Sequence, residues 1–179
     1  MTRPQKSALK IDIMVESKRW KDAARVKTIV RRAVAEAAAA TKPTRGAELA
    51  IVLSDDSAVR ALNRDWRGID KPTNVLSFPA KNGGAEPHLG DIVLAFETIE
   101  REAKSEHKPV AHHLAHLAVH GFLHLVGFDH ERDEDALAME QAERDILRQL
   151  KVPDPYRERP AAKTIPSRRS KKSRAPRGL

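Results

Sequence analysis

At 179 residues the chain suits one domain with room for a tail, and a hydrophobic fraction of 40% is enough for a single packed core. It has no cysteine, which excludes both a disulfide framework and a thiolate metal site; any transition metal must be held by imidazole and carboxylate. No run of about 18 apolar residues occurs, and Met1 to Lys10 shows neither an apolar secretory core nor a small-residue cleavage site, so a cytoplasmic protein with no membrane span is expected. The net charge of +8 is carried wholly by the end of the chain: from Arg157 onward nine Lys or Arg face one acid, Glu158, while residues 1–156 are formally neutral. Pro160, Pro166 and Pro176 among those cations mark 157–179 as a disordered basic tail attached to a globular domain over 1–156. Such a tail can hold RNA through phosphate contacts, or it can be a solubilising extension that binds polyanions loosely; composition leaves both open.

In chain order, Leu9, Ile11, Ile13 and Val15 alternate with polar residues as a strand does. Trp20 to about Ala40 follows the helical period, with Trp20, Ala23, Val26, Val30, Val34 and Ala37 on one face. Ala47–Leu53 is a short apolar run and a second strand. Ser54-Asp55-Asp56 offers N-cap chemistry for a helix to about Trp66. Thr73–Phe78 is a third strand stopped by Pro79, Lys81–Leu89 a loop, and Gly90–Phe96 a fourth strand antiparallel to the third. Three helices follow: Glu97–Glu106, Pro109 to about Val126 with Gly127 as its break, and Asp133–Leu150 with an acidic first turn. The order β-α-β-α-β-β-α-α-α implies an α+β domain: about four strands in a small mixed sheet, one βαβ crossover at the start, about five packed helices.

All eight histidines lie between His88 and His130. His120 and His124 are four apart, so on a helix their rings leave one face a turn apart and two nitrogens can meet one ion at about 2.0–2.1 Å. Gly127 can take the left-handed conformation that turns the chain back, which brings His130 within reach as a third ligand. Three nitrogen ligands leave one tetrahedral position open to water, the arrangement of catalytic rather than structural zinc. The spacing matches the metzincin peptidase pattern H-E-x-x-H-x-x-G-x-x-H with one departure: Gly121 stands where that pattern has its general-base glutamate. A peptidase therefore lacks its proton-transfer group. Asp129 can orient a ligating histidine, assist the water, or simply stabilise the turn. His116 is expected to be a buried, hydrogen-bonded histidine, and His112 and His113 to be exposed.

The stretch His120-Gly121-Phe122-Leu123-His124-Leu125-Val126-Gly127-Phe128-Asp129-His130 resembles the signature H-G-x-L-H-L-x-G-y-D-H of the YbeY family of bacterial endoribonucleases and rRNA maturation factors, with Phe128 in the usual tyrosine place. Leu62 to Arg67, Asp70 to Pro79, Leu89 to Ile92, Met139-Glu140 and Asp154 to Tyr156 are similar to further blocks of that family in the same order. The resemblance spans about Leu9 to Tyr156 and leaves the tail outside it. It implies His120, His124 and His130 as ligands of one Zn²⁺, and Arg67, at the family's functional arginine, as a residue facing the metal cleft. It also implies cleavage of single-stranded RNA, a role in 16S rRNA 3′-end processing and ribosome quality control, and the ribosome or its small subunit as partner. On the residues alone Arg67 reads first as a solvated loop arginine, and the resemblance reverses that preference. A non-catalytic zinc-containing assembly factor is the alternative, and a metallopeptidase-like hydrolase a third reading.

Overall fold

The computed structural model describes residues 9–81 and 87–157. Strand β1 (Lys10–Val15), helix α1 (Ala23–Thr41) and strand β2 (Glu48–Ser54) form the expected crossover, the two strands pairing in parallel from Lys10↔Glu48 to Val15↔Leu53. Helix α2 (Asp56–Arg67) leads to strand β3 (Val75–Pro79), and strand β4 (His88–Ala95) returns antiparallel to it. β4 also pairs in parallel with β2, so the sheet order is β1-β2-β4-β3 and the hairpin's second strand lies inside the sheet. Helices α3 (Phe96–Ser105), α4 (Val110–Leu125) and α5 (Asp133–Gln149) complete the chain. The α+β class, four mixed strands and five helices agree with the sequence reading.

The two faces of the sheet are covered unequally. Leu49, Ile51 and Leu53 of β2 and Ile92 and Leu94 of β4 point into the main core under α1, α4 and α5. Leu76 of β3 and Val93 and Ala95 of β4 meet Val59 of α2 in a small separate cluster on the opposite face. The period of two along each strand makes this division. With residues buried on both faces, β2 and β4 read as continuous apolar runs rather than alternating ones. Pro79 closes β3 at the sheet's edge, where a missing N–H breaks no ladder.

Some boundaries differ from the periodic reading, each for a local reason. α1 begins at Ala23, not Trp20: Asp22 takes a left-handed conformation, φ 51°, and its carboxylate accepts from the Arg25 amide at 3.3 Å. Trp20 is still buried, but from the preceding turn, its indole N–H donating to the Ser54 carbonyl at 2.8 Å and its ring edge-on to Phe96. β4 begins at His88 and yields at Ala95 to α3, which Phe96 opens. The middle of the expected loop, 82–86, lies outside the described residues, as does the expected tail from 158.

α4 is buried along most of its length, and Gly121 lies close against the sheet. A Cβ at that position would lie 3.0 Å from Ile92 Cγ2, 3.2 Å from Ser77 Oγ and 3.3 Å from Val75 Cγ2. The Ser77 hydroxyl donates to the Gly121 carbonyl at 3.0 Å, pinning the helix to the edge hairpin beside His120. Gly121→Ala is expected to destabilise the fold by about 1–3 kcal/mol through overpacking, measured by urea unfolding; unchanged stability would show that the contact yields freely.

Candidate metal centre

Four histidines of α4, His113, His116, His120 and His124, recur at three- and four-residue steps and lie in series along one face. Ring centres are 6.3 Å apart for His113–His116 and His116–His120, and 4.7 Å for His120–His124. The helix ends at Val126. Gly127 follows at φ 100°, and the Phe128 amide donates back to the Leu123 carbonyl at 3.0 Å, closing the turn. The reversal brings the His130 ring to 4.9 Å from that of His124 and 5.7 Å from that of His120. One nitrogen from each of His120, His124 and His130 lies within 4.8 Å of the other two.

Hydrogen bonds on the far side of the rings decide which nitrogens are free. His124 Nδ1 is 3.0 Å from the Phe128 carbonyl, which can only accept, so Nδ1 carries the proton. His120 Nδ1 is 2.6 Å from Glu143 Oε1 and donates to it. Both rings therefore turn an Nε2 lone pair inward, and these two atoms are 3.2 Å apart. Two lone pairs so close repel unless a cation lies between them. The separation also fits a tetrahedral shell, in which ligands bonded at 2.0–2.1 Å stand about 3.3 Å apart. Burial, with His120 and His130 close by, holds the His124 pKa below its usual value, which favours the neutral ring a metal needs. The donor set fits a divalent transition ion.

Glu143, which the sequence reading missed, is the carboxylate behind this site. It is fully buried, accepts from His120 Nδ1 and from His116 Nε2 (2.9 Å), and receives the Tyr156 hydroxyl as well. Burial by itself would raise its pKa; the bonds from His116 and His120 outweigh that and hold it at about 2, so it stays ionised. The signal was present in α5: Met139, Glu143, Ile146 and Leu147 form the buried stripe, and a glutamate in such a stripe needs buried partners. His113 is likewise buried, contrary to the expectation of exposure. Its Nε2 is 2.7 Å from Glu102, a carboxylate that Asn74 also contacts at 2.9 Å. Packing against α3 overrides its polar character.

Asp129 accepts from the His130 amide at 2.7 Å, a bond that stabilises the turn carrying the third histidine. Arg67 ends α2 on the other side of the sheet, exposed and without an ion pair among the described residues. Tyr156 anchors the last described segment at this site, with the Arg144 guanidinium 5.0 Å above its ring.

An α+β domain whose mixed sheet backs three convergent imidazoles at a helix end belongs to the class of folds able to hold a metal ion through three histidines. The family model described as Endoribonuclease YbeY matches residues 12–151, and the chain belongs to that family. A relative from Rhodopseudomonas palustris named Endoribonuclease YbeY is 55% identical, the match covering 81% of this chain and 90% of that one. Proteins of the same name from Nitrobacter hamburgensis and Bradyrhizobium diazoefficiens are 53% and 51% identical, over 81% and 83% of this chain and 80% and 86% of theirs. The solution structure of a Thermotoga maritima protein shares the fold, with a TM-score of 0.50, 23% identity, and coverage of 79% of this chain and 91% of that one.

Glu143→Gln keeps the side chain's size but removes the charge that orients His120. With added Zn²⁺ as the probe ion, it is expected to weaken metal affinity about 10–100-fold, read by competition with a chromogenic chelator. Wild-type affinity in that variant would remove Glu143 from the site.

Proposed function

We propose that the chain is a zinc-dependent endoribonuclease that hydrolyses phosphodiester bonds in single-stranded RNA. Its setting is 16S rRNA 3′-end maturation and ribosome quality control, in the cytoplasm, with the ribosome or its small subunit as partner. The observation that carries this reading is the pair of inward Nε2 atoms 3.2 Å apart, with His130 beside them, in a chain of this family. A divalent ion held by His120, His124 and His130 supplies Lewis acidity toward water and a phosphoryl oxygen.

The chain's own residues supply positioning. Glu143 fixes the His120 tautomer and ring plane, and the Phe128 carbonyl does the same for His124. Arg67 is proposed to hold a non-bridging phosphate oxygen. Its exposure and its planar, permanently charged fork support that reading, which also rests on the family resemblance of the segment from Leu62 to Pro79. Asp129 is proposed to act through the turn, holding His130 in place. No glutamate follows His120, and Gly121 has no room for one, so a metallopeptidase mechanism is disfavoured and slow turnover is expected.

The domain division is proposed as a catalytic body, 1–156, and a basic tail, 157–179. Tyr156, the residue before the tail, bonds Glu143 beside the proposed metal ligands, which supports a role for the tail there.

One observation favours the non-catalytic alternative. Glu143 ties α4, α5 and the last described segment together, as a structural centre would. RNase assay separates the two readings: wild-type protein is expected to cut single-stranded RNA, and both His124→Ala and chelator treatment to abolish cutting. Cleavage surviving both would sink the nuclease. Arg67→Ala is expected to lower kcat/KM by about a hundredfold with zinc content intact; wild-type rates in that variant would end its role. Deleting 157–179 is expected to weaken RNA binding and flatten its salt dependence, with zinc binding unchanged, whereas an unaltered salt slope would assign the tail to solubility.

A further inference from the structure

The folded body is neutral overall but strongly polarised. Between Lys18 and Arg32 lie seven Lys or Arg and one carboxylate, Asp22; between Asp129 and Asp145, the stretch that flanks the metal centre, lie eight carboxylates and two arginines. Of those seven cations only Arg19 forms an ion pair among the described residues, with Glu97 at 2.8 Å. Lys21, just before α1, and Arg25 and Arg32 on α1 are exposed. An RNA strand drawn only to the metal centre would meet an acidic flank there, so cations elsewhere must contribute its binding energy.

The packing of α5 leaves a place for them. α5 lies across the C-terminal ends of α1 and α4, where Ile146 faces Ala40 and Val126. No residue of α5 lines the groove of about 590 Å³ that runs between the N-terminal ends of those two helices, beside Trp20 and Phe96. Val26, Ile29 and Val110 are part of its apolar lining, with the Trp20 and Phe96 rings; Arg19, Lys21 and Arg25 stand along it, with Asp22 and Glu100 as the opposing acids. From Leu114 to His120 and His124 along α4 is about 9–15 Å, a few nucleotides of extended strand.

We propose that this groove is a second subsite for the RNA substrate, in which Lys21 and Arg25 bind backbone phosphates a few nucleotides from the scissile bond and the apolar lining receives a base. The proposal rests on the nuclease reading. Charge complementarity selects the occupant: unpaired cations beside an apolar lining suit a single-stranded polyanion, which offers phosphates and base faces together.

The full chain carrying Lys21→Ala and Arg25→Ala, both exposed sites, tests it against a single-stranded RNA longer than about 16 nucleotides. The double variant should keep wild-type zinc content, melting temperature and kcat. Its KM should rise several-fold, and the slope of log affinity against log salt should fall by about 1.4, the loss of two phosphate contacts on a single strand. The control, Lys10→Ala with Arg148→Ala, removes the same charge away from the groove and should leave the slope near wild type. Wild-type KM and slope in the Lys21/Arg25 variant overturn the subsite while leaving the nuclease intact. Equal flattening in the control also overturns it, because net charge would then explain the effect. A wild-type chain that neither binds nor cuts RNA overturns both.

Discussion

Glu143 is a fully buried carboxylate that accepts from His116, from His120 and from the Tyr156 hydroxyl. A lone carboxylate in that position would be strongly disfavoured, and removing one partner from a buried charged set typically costs about 3–5 kcal/mol. Fully satisfied, it joins α4 to α5 and to the last described segment. It also fixes which nitrogen of His120 is left for a metal. Fold and site thus share one group: the bond that lets α5 settle on α4 is the bond that aims the ligand.

Gly121 is the second constraint. It admits the sheet to within contact distance of α4 and lets Ser77 reach the helix backbone. The same closeness removes the space in which a side chain following His120 could serve as a proton acceptor. Peptidases with this histidine spacing use that position for a glutamate. Here it serves packing, and whatever moves protons at this centre comes from elsewhere.

The histidine ladder shows how environment separates identical side chains. His113 is held in the core by Glu102, His116 and His120 share Glu143, and His124 bonds to the carbonyl of the turn that follows its own helix. Only the last two of the series, His120 and His124, turn lone pairs toward one point, with the His130 ring beside it. Burial is what sharpens these assignments, because in a medium of low polarity each ring's proton must go to the one partner in reach.

Local order was legible in the sequence to within a few residues. The helices follow the 3.6 period, β1 alternates with the period of two and β2 shows as a short apolar run, and the spacing of His120, His124, Gly127 and His130 is enough to predict convergence because it depends only on helix geometry and one left-handed turn. Long-range placement was not legible. Nothing in the order of elements says that β4 inserts between β2 and β3, that Trp20 is buried from a turn, or that His113 is buried. Nor does it say that a glutamate more than twenty residues after His120 will hold its ring, or that Arg67 ends its helix on the far side of the sheet. Periodicity records how a segment divides itself between core and solvent. Which buried surface meets which is settled only when the layers close, and the carboxylates behind the histidines belong to that second decision.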